Sequence, residues 1–463
     1  SLVGSEMCIR DRLRLYLNHK GDILLKVAFI SLGCAKNLVN TEQMMALCRE
    51  AGYTVTGEPE GADVAVVNTC GFIDSAKSEA IDTILSIAPL KEQGRLGKLL
   101  VAGCLTQRYQ DEILEELPEV DGILGTGSYT DIVPAIEAVL EGDTPTYFGD
   151  IDHTIEDGER LVSTPSYTAY LKIAEGCDNR CSYCVIPYLR GRYRSRPMES
   201  LLEEARGLAE SGVRELMVIA QDITRYGTDL YGKRRLADLL RALCRMDFHW
   251  IRLHYLYPDE IDQELIDVIA EESKIVKYLD IPIQHLSDKI LRAMNRRGNG
   301  ALISDVISTL REDIPDLVLR TSIIVGFPGE GEEEFEELCR LLPGYCFQRA
   351  GVFTFSAEEG APAAALPDQV PEDVAKHRME LLVDLQSRVM DQWNEDRLGT
   401  VMEVLCEGFD GDMGCWVGRT YADSPDIDGH VYFTAAGQIP AGTFVNVRIT
   451  GTSDGDLTGE IEE

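Results

Sequence analysis

The sequence predicts a multidomain α/β chain. We expect a Rossmann-like α/β domain at the amino terminus, a partial (β/α)6 barrel in the middle and a small β-barrel at the carboxyl end. Strand-like apolar runs alternate with helical segments in the first two parts, whereas short strands separated by Gly, Asp and Pro turns fill the last part. With 463 residues, 44% of them apolar, the chain can bury several cores.

The amino-terminal domain, predicted over residues 23–140, carries a repeated cysteine pattern. Three apolar runs, each typical of a buried parallel strand, lead into Cys34, Cys70 and Cys104. Because ligands lie outside the carboxyl ends of parallel strands, we expect these three thiols to converge. A single buried cysteine commonly does no more than fill the core. Three cysteines at equivalent points of three strand-helix units instead indicate a metal site, which we interpret as an iron-sulfur cluster with one open iron. The other seven cysteines outside the central loop show no such pattern and are interpreted as core residues.

Residues at the edges of this domain have a different character. Residues 1–22 carry scattered arginines without a period and are interpreted as a non-native or disordered extension. Residues 141–165 are polar and acidic and are predicted to form a linker.

The most specific motif is the run Cys177-Asp-Asn-Arg-Cys181-Ser-Tyr-Cys184. A structural zinc site normally has four protein ligands, and no fourth cysteine or histidine follows before Cys244. Three thiolates around a four-iron cluster leave one iron open, so that a small molecule can bind to it. The spacing therefore favours an iron-sulfur cluster over a zinc knuckle.

The central domain, predicted over residues 166–394, contains six strand-like runs separated by helices. Polar residues follow several of these runs, at the end of the barrel where chemistry is expected. A lone polar residue in such a place is also commonly a helix cap. The residues in question are Gln221, Asp222, His254, Gln284, His285 and the turn Gly326-Phe-Pro-Gly329.

The last section, residues 395–463, is predicted to be a small β-barrel of the kind that often binds RNA. From Gly399 onward it has twelve Asp and Glu against Arg419 and Arg448. The whole chain has a net charge of −35, which a phosphate backbone or an anionic membrane would repel. We therefore expect a basic partner, with recognition by Asp423, Asp426 and Asp428. The absence of an apolar signal segment and the need for thiolates favour the cytoplasm.

The order of these parts resembles that of the methylthiotransferase family of radical S-adenosylmethionine (SAM) enzymes, over about residues 24–463. Three motifs resemble the RimO type, which modifies an aspartate of small-ribosomal-subunit protein S-twelve: Ser31-Leu-Gly-Cys-Ala-Lys-Asn-Leu-Val-Asn-Thr-Glu42, Ile281-Pro-Ile-Gln-His-Leu-Ser-Asp288 and Ala422-Asp-Ser-Pro-Asp-Ile-Asp-Gly429. The family's transfer-RNA branch remains the alternative. A redox sensor is a third possibility, although a sensor would not need a barrel around its cluster. One departure from the family pattern is Ala361, where the family usually has Thr.

The resemblance implies two 4Fe-4S clusters and two SAM molecules per product. The cluster on Cys177, Cys181 and Cys184 would generate a radical from SAM, because no side chain can break an unactivated C–H bond. The cluster on Cys34, Cys70 and Cys104 would carry the sulfur. Further implied contacts to SAM are Tyr183, Gln221 and Gly326, the last two from the loops after the second and fifth strands. A reductant such as flavodoxin or ferredoxin is implied as a partner.

A dense basic run, Arg190-Gly-Arg-Tyr-Arg-Ser-Arg196, stands out in this acidic chain. One interpretation is that its guanidinium groups bind the carboxylate of a target aspartate. The other is that they form ion pairs with neighbouring acidic residues.

Overall fold

The computed structural model describes residues 25–153 and 158–462. The predicted extension, residues 1–22, lies outside the described residues. The described residues divide into two compact units, of which the first holds residues 25–71, 75–150 and 158–161 and the second holds the other described residues. No helix within the described ranges is long and apolar enough to span a membrane.

The first unit is built on a six-stranded parallel sheet with strand order β2-β1-β3-β4-β5-β6. Its strands are β1 (Lys26–Ser31), β2 (Thr54–Thr56), β3 (Val64–Thr69), β4 (Lys98–Gly103), β5 (Gly122–Leu124) and β6 (Thr146–Tyr147). Within the described part of this unit the α-helices are, in chain order, α1 (Ala35–Glu50), α2 (Asp74–Glu92), α3 (Cys104–Tyr109), α4 (Asp111–Glu116) and α5 (Ile132–Glu141).

Helices cover both faces of this sheet, as the Rossmann-like prediction requires. Met44 of α1 and Ile136 of α5 pack on one face, and Ile84 of α2 packs on the other. Every residue of β3 is buried, which explains its continuous apolar run. Strand β6 falls inside the predicted linker, so residues 146 and 147 belong to the sheet instead. A two-residue strand is too short to show a period in the sequence.

The second unit contains an all-parallel sheet of six strands in the order β14-β13-β12-β11-β10-β7. These strands and the short pair β8 and β9 are β7 (Thr168–Lys172), β8 (Ala174–Glu175), β9 (Arg194–Ser195), β10 (Glu215–Ile219), β11 (Trp250–Leu253), β12 (Ile275–Asp280), β13 (Val318–Val325) and β14 (Arg349–Thr354). Strands β7 and β14 end the sheet without pairing with each other, which leaves the predicted barrel open.

The helices of this unit follow the strands in βα order. They are α6 (Ile186–Arg190), α7 (Met198–Glu210), α8 (Thr228–Tyr231), α9 (Leu236–Leu243), α10 (Gln263–Glu271), α11 (Asp288–Ala293), α12 (Gly300–Asp313), α13 (Glu332–Leu341) and α14 (Glu372–Glu395). Alternate strand residues such as Leu216, Val218 and Leu253 pack against the helices and form the largest core. The opposite strand positions face the inside of the open barrel.

The carboxyl end of the chain forms a closed five-stranded barrel in the order β15-β16-β17-β19-β18. Its strands are β15 (Val401–Asp410), β16 (Cys415–Thr420), β17 (Val431–Thr434), β18 (Phe444–Ser453) and β19 (Asp456–Ile461). This barrel shares a core with the inner face of the open barrel, where Trp250 and Tyr278 meet Val404 and Phe433. Within this single compact unit, we propose residues 166–394 as the limits of the open-barrel domain and residues 395–463 as those of the closed-barrel domain.

The loop between β16 and β17, residues 421–429, packs against the inner strands of the open barrel. Arg252 donates from Nη1 to the carbonyl oxygen of Tyr421 over 2.8 Å, and Tyr278 donates its hydroxyl to Asp428 Oδ2 over 2.6 Å. Arg349 donates from Nη2 to Asp423 Oδ1 over 2.7 Å. Two of the three aspartates that we expected to face a partner are therefore buried ion-pair or hydrogen-bond partners inside the protein.

Candidate active site

The loop that carries Cys177, Cys181 and Cys184 follows β7 and β8 and is fixed at its base by a close backbone approach. Gly176 has φ +73°, and a Cβ there would lie 2.0 Å from the carbonyl oxygen of Arg192. Only glycine fits such a contact without displacing backbone. Cys177 then donates its N–H to the carbonyl oxygen of Gly191 over 3.1 Å.

Helix α11 and the residues after it hold the middle of the loop. Ser182 donates its N–H to the carbonyl oxygen of Met294 over 2.9 Å and its hydroxyl to that of Ala293 over 2.8 Å. Asn295 donates from Nδ2 to the carbonyl oxygen of Arg180 over 2.8 Å. These contacts fix the positions of the cysteines within a loop that has no regular secondary structure of its own.

The three thiols lie in a poorly solvated place. Cys177 and Cys181 are buried and Cys184 is half-buried. Burial raises the pKa of Cys177 to about 11 and raises that of Cys184 as well. A bound metal deprotonates coordinating thiols outright, so metal loading of this loop must release protons.

The chemistry of the donor set suits a cluster more than a single ion. Among the described residues, no group of three or more His, Cys, Asp or Glu is arranged to hold one metal ion. A cubane distributes its three thiolate ligands over three separate iron atoms, which requires wider spacing than one ion does. The three thiols of this loop therefore match the donor set of a 4Fe-4S cluster, and the loop itself supplies no fourth cysteine or histidine for a structural zinc site.

Two side chains that sequence reasoning missed contact the central cysteine. Arg296 Nη1 and the Tyr257 hydroxyl each lie 3.9 Å from Cys181 Sγ. Arg296 follows Cys181 by 115 residues and Tyr257 follows it by 76, so no local spacing could have revealed either contact.

Gln221, a predicted SAM contact, has an unsatisfied acceptor next to this loop. Its Nε2 donates to Glu175 Oε1 over 3.4 Å, while its Oε1 is buried without a hydrogen-bond partner among the described residues. The buried Oδ1 of Asn179, within the loop itself, also lacks a partner there. Buried acceptors without donors are costly, so both oxygens fit a ligand that brings N–H groups, as the amino group of SAM would.

Tyr183 and Gly326, the other two predicted SAM contacts, have roles in packing. Tyr183 packs against a small apolar cluster that includes Met294 and Phe327. Gly326 has φ +71°, and a Cβ there would lie 2.4 Å from Ala375 Cβ on α14. The structure thus gives a packing reason for Gly326, and contact of either residue with SAM stays a prediction.

Several polar residues after the strands have structural partners. His254 Nε2 lies 3.2 Å from Ser424 Oγ of the 421–429 loop. His285 Nδ1 accepts a hydrogen bond from the Ser287 N–H over 2.9 Å, so the ring proton is on Nε2 in the neutral tautomer. Asp222 is buried and accepts from Asn179 Nδ2 over 3.0 Å.

The basic run forms ion pairs, as the second interpretation predicted. Arg190 binds both oxygens of the buried Glu175 through Nη1, over 3.1 and 3.0 Å, and Arg196 lies 2.6 Å from Glu204 Oε2. Arg194 lies 3.7 Å from Asp152 Oδ1. These ion pairs favour the second interpretation for Arg190, Arg194 and Arg196, whereas binding of a substrate carboxylate by the run, which also includes the exposed Arg192, stays a prediction.

In the first unit, the three other cysteines converge at the carboxyl edge of neighbouring strands. Strands β1, β3 and β4 are adjacent in the sheet, and Cys34, Cys70 and Cys104 follow them in turn. A Cβ on Gly33 would lie 2.6 Å from Cys70 Cβ. A Cβ on Gly71 would lie 2.8 Å from the carbonyl oxygen of Cys104. The glycine next to Cys34 thus touches Cys70, and the glycine next to Cys70 touches Cys104, which brings the three loops together.

Two buried asparagines fix these loops. Asn37 donates from Nδ2 to the carbonyl oxygens of Leu32 and Asn68, over 2.8 and 3.2 Å. Asn68 donates in return to the carbonyl oxygen of Asn37 over 3.0 Å and to Thr41 Oγ1 over 2.9 Å. This reciprocal pair ties the start of α1 to the end of β3, the two places from which Cys34 and Cys70 extend.

Comparison with known proteins agrees with this architecture. Family models described as Uncharacterized protein family UPF0004, Radical SAM superfamily and TRAM domain match residues 26–125, 171–342 and 398–461. The fold is similar to that of the radical S-adenosylmethionine methyltransferase TsrM from Kitasatospora setae, with TM-score 0.54 and 14% identity, over 71% of this chain and 72% of that chain. The fold and the three-cysteine loop define a radical SAM enzyme, for which SAM and one 4Fe-4S cluster are the cofactors.

The relatives identify the family more narrowly. The ribosomal protein uS12 methylthiotransferase RimO of Acetivibrio thermocellus is 49% identical over 94% of this chain and 98% of the relative. The protein of the same name from Geobacter sulfurreducens is 50% identical over 94% of this chain and 98% of its own length. The chain belongs to the RimO family of radical SAM methylthiotransferases.

Proposed function

We propose that this enzyme adds a methylthio group to the β-carbon of an aspartate in ribosomal protein uS12, the small-subunit protein S-twelve. The observation that carries the proposal is the presence of two separate three-cysteine sets in a chain 46–50% identical to relatives named for this reaction. A cluster on Cys177, Cys181 and Cys184 would supply the electron that cleaves SAM and so permits attack on an unactivated C–H bond.

The residues of this chain have distinct parts in that proposal. Cys177, Cys181 and Cys184 would hold the SAM-binding cluster, and the unsatisfied oxygens of Gln221 and Asn179 would orient SAM. Cys34, Cys70 and Cys104 would hold the second 4Fe-4S cluster. Their convergence at one edge of the parallel sheet supports that assignment. An external reductant such as flavodoxin or ferredoxin is part of the proposal, as is a reducing compartment such as the cytoplasm, because thiolate ligands require one.

Purified enzyme with both clusters reconstituted, incubated with SAM, dithionite and bacterial small ribosomal subunits, tests the proposal. Mass spectrometry of the subunit proteins should find a methylthio group on one aspartate of uS12. Transfer RNA treated in parallel is the second arm. A methylthio adenosine with unmodified uS12 would contradict the proposal and favour the transfer-RNA branch.

The geometry of Gly33 gives a test of the second cluster. Gly33→Ala should lose about half of the iron, because the new Cβ would lie 2.6 Å from Cys70 Cβ and 3.2 Å from Cys70 Sγ and so displace a ligand. Iron analysis after anaerobic reconstitution measures this loss. Gly52→Ala is the matched control, since Gly52 has φ +88° against +85° for Gly33 but nothing within 4 Å of its Cβ. Full iron in Gly33→Ala would place the second cluster elsewhere.

Asp423 and Asp428 are bound inside the protein, so recognition of the substrate by the carboxyl-terminal barrel depends on its remaining exposed acidic residues. Asp426 and Ile427 form the exposed tip of the 421–429 loop. Burial and the charge of Asp426 both raise the pKa of Tyr170 on β7, which places this carboxylate near the inner strands of the open barrel. We propose that this tip meets a basic segment of the substrate, and that the acidic barrel does not bind RNA.

Asp426→Lys should weaken binding of uS12 by at least tenfold while SAM cleavage without substrate is unchanged. The control is Asp412→Lys, which makes the same change in net charge at the exposed turn between β15 and β16. Binding measured at two salt concentrations separates local contact from long-range attraction, which salt screens. Equal loss of affinity in both variants would mean that only net charge matters.

A further inference from the structure

Arg296 is a buried cation that faces a sulfur atom. Its side chain belongs to a residue only 8% exposed, and Nη1 points at Cys181 Sγ over 3.9 Å. Within the described ranges no carboxylate lies at ion-pair distance from Arg296. The next residue, Arg297, does form ion pairs. Its Nε lies 3.0 Å from Asp259 Oδ2 and its Nη1 lies 2.8 Å from Glu260 Oε1.

Two contacts hold the Arg296 guanidinium in this place. It lies over the ring of Tyr257, 4.2 Å from the ring centroid, and its Nη2 donates to the carbonyl oxygen of Pro282 over 2.6 Å. The Tyr257 hydroxyl lies 3.9 Å from the same Cys181 Sγ. Tyr257 thus positions the Arg296 guanidinium next to Cys181 Sγ and also contacts this sulfur itself.

An uncompensated buried charge is expensive, so a cation kept in such a place needs a negative partner. Among the described residues no carboxylate lies at ion-pair distance from Arg296, whereas a thiolate-bound cluster would carry negative charge at this sulfur. One-electron reduction adds one more negative charge. A fixed cation near the sulfur stabilises the reduced form more than the oxidised form, because attraction grows with the charge and is poorly screened in a buried site.

We propose that Arg296, positioned by Tyr257, raises the reduction potential of the cluster on Cys177, Cys181 and Cys184. The inference rests on the proposed function, since it takes these three cysteines as the cluster ligands. The step concerned is the transfer of one electron from an external one-electron carrier, which is oxidised, to the cluster core, which passes from the 2+ to the 1+ state. No bond forms or breaks in this step, and Arg296 acts through Cys181.

The test uses the full chain with Cys34, Cys70 and Cys104 changed to Ala, so that one cluster remains. The redox titration uses dithionite, with electron paramagnetic resonance of the reduced cluster as the readout. Arg296→Gln should lower the potential by about 59 mV or more, a tenfold change in the reduction equilibrium of a one-electron couple. Arg296→Lys, which keeps the charge, should show a smaller decrease. Tyr257→Phe, which removes one donor and keeps the ring, should also lower the potential.

Arg297→Gln is the matched control, because it removes a neighbouring charge that is 39% exposed and already paired with Asp259 and Glu260. It should change the reduction equilibrium by less than about twofold. If the Arg296→Gln variant does not bind iron, the reduction potentials of the Arg296→Lys and Tyr257→Phe variants test the inference in its place. An unchanged potential with full iron in Arg296→Gln, or in both of those variants, overturns the inference and leaves the proposed function intact. Absence of iron in the parent protein would instead contradict the assignment of the cluster ligands.

Discussion

Replacement of Cys177, Cys181 and Cys184 by Ala is expected to remove about half of the iron and to abolish SAM cleavage. Each of two three-cysteine sets would hold one four-iron cluster, so the fully loaded protein should bind about eight irons. The loop cysteines are held by backbone contacts to α11 and to Gly191, and these do not depend on the thiols. The chain should therefore stay folded. Iron analysis and detection of deoxyadenosine measure the two losses.

The reciprocal variant separates the two sites. Replacement of Cys34, Cys70 and Cys104 by Ala should also leave about half of the iron, but SAM cleavage should persist while methylthio transfer stops. The control is a third variant, which also loses three thiols: Cys339, Cys346 and Cys415 changed to Ala. These three cysteines are half-buried or exposed and lie away from both sets in the sequence. Full iron in the Cys177, Cys181 and Cys184 variant would refute the ligand assignment.

Glu215→Gln is expected to destabilise the second unit by about 3–5 kcal/mol, the usual cost of removing one partner from a buried ion-pair group. Glu215 is fully buried at the start of β10. Arg252 Nε lies 2.9 Å from its Oε1 and Arg419 Nη2 lies 2.7 Å from its Oε2. Since Arg252 belongs to the open barrel and Arg419 to the closed one, this carboxylate joins the two. Its neutralisation would leave two buried cations with less compensation.

Calorimetry of the unfolding transition at neutral pH measures this effect, with the exposed Glu203→Gln on α7 as the control. The pH dependence has a definite sign. Burial would raise the pKa of Glu215, but the guanidinium groups of Arg419 and Arg252 outweigh it and lower the pKa from 4.5 to about 2. The stabilisation is thus complete above the unfolded value and is lost as the pH falls from 4.5 towards 2. Equal melting temperatures for Glu215→Gln and the parent would mean that the ion-pair group contributes nothing.

The burial of Asp423 and Asp428 could not be predicted from the sequence. Asp423 and Asp428 lie in an acidic segment, and an acidic segment usually marks a solvated surface. In the fold, that segment crosses the inner face of the open barrel, where Arg349 and Tyr278 bind these two carboxylates. The partners lie far away in the sequence. Asp426, at the loop tip, is the one of the three that remains exposed.

The sequence alone determined the order of the three folded parts and the two cysteine sets. Strand periodicity and the C-x3-C-x2-C spacing are local properties, and parallel strands place their carboxyl ends at one edge, so convergence of Cys34, Cys70 and Cys104 followed from topology. Only the tertiary structure decided what surrounds those thiols. Tyr257, beyond the end of β11, and Arg296, beyond the end of α11, reach Cys181 only because distant segments pack together. Burial decides which charges pair inside the protein and which face the solvent. Such contacts depend on the complete fold, because no residue near either partner in the chain specifies the other.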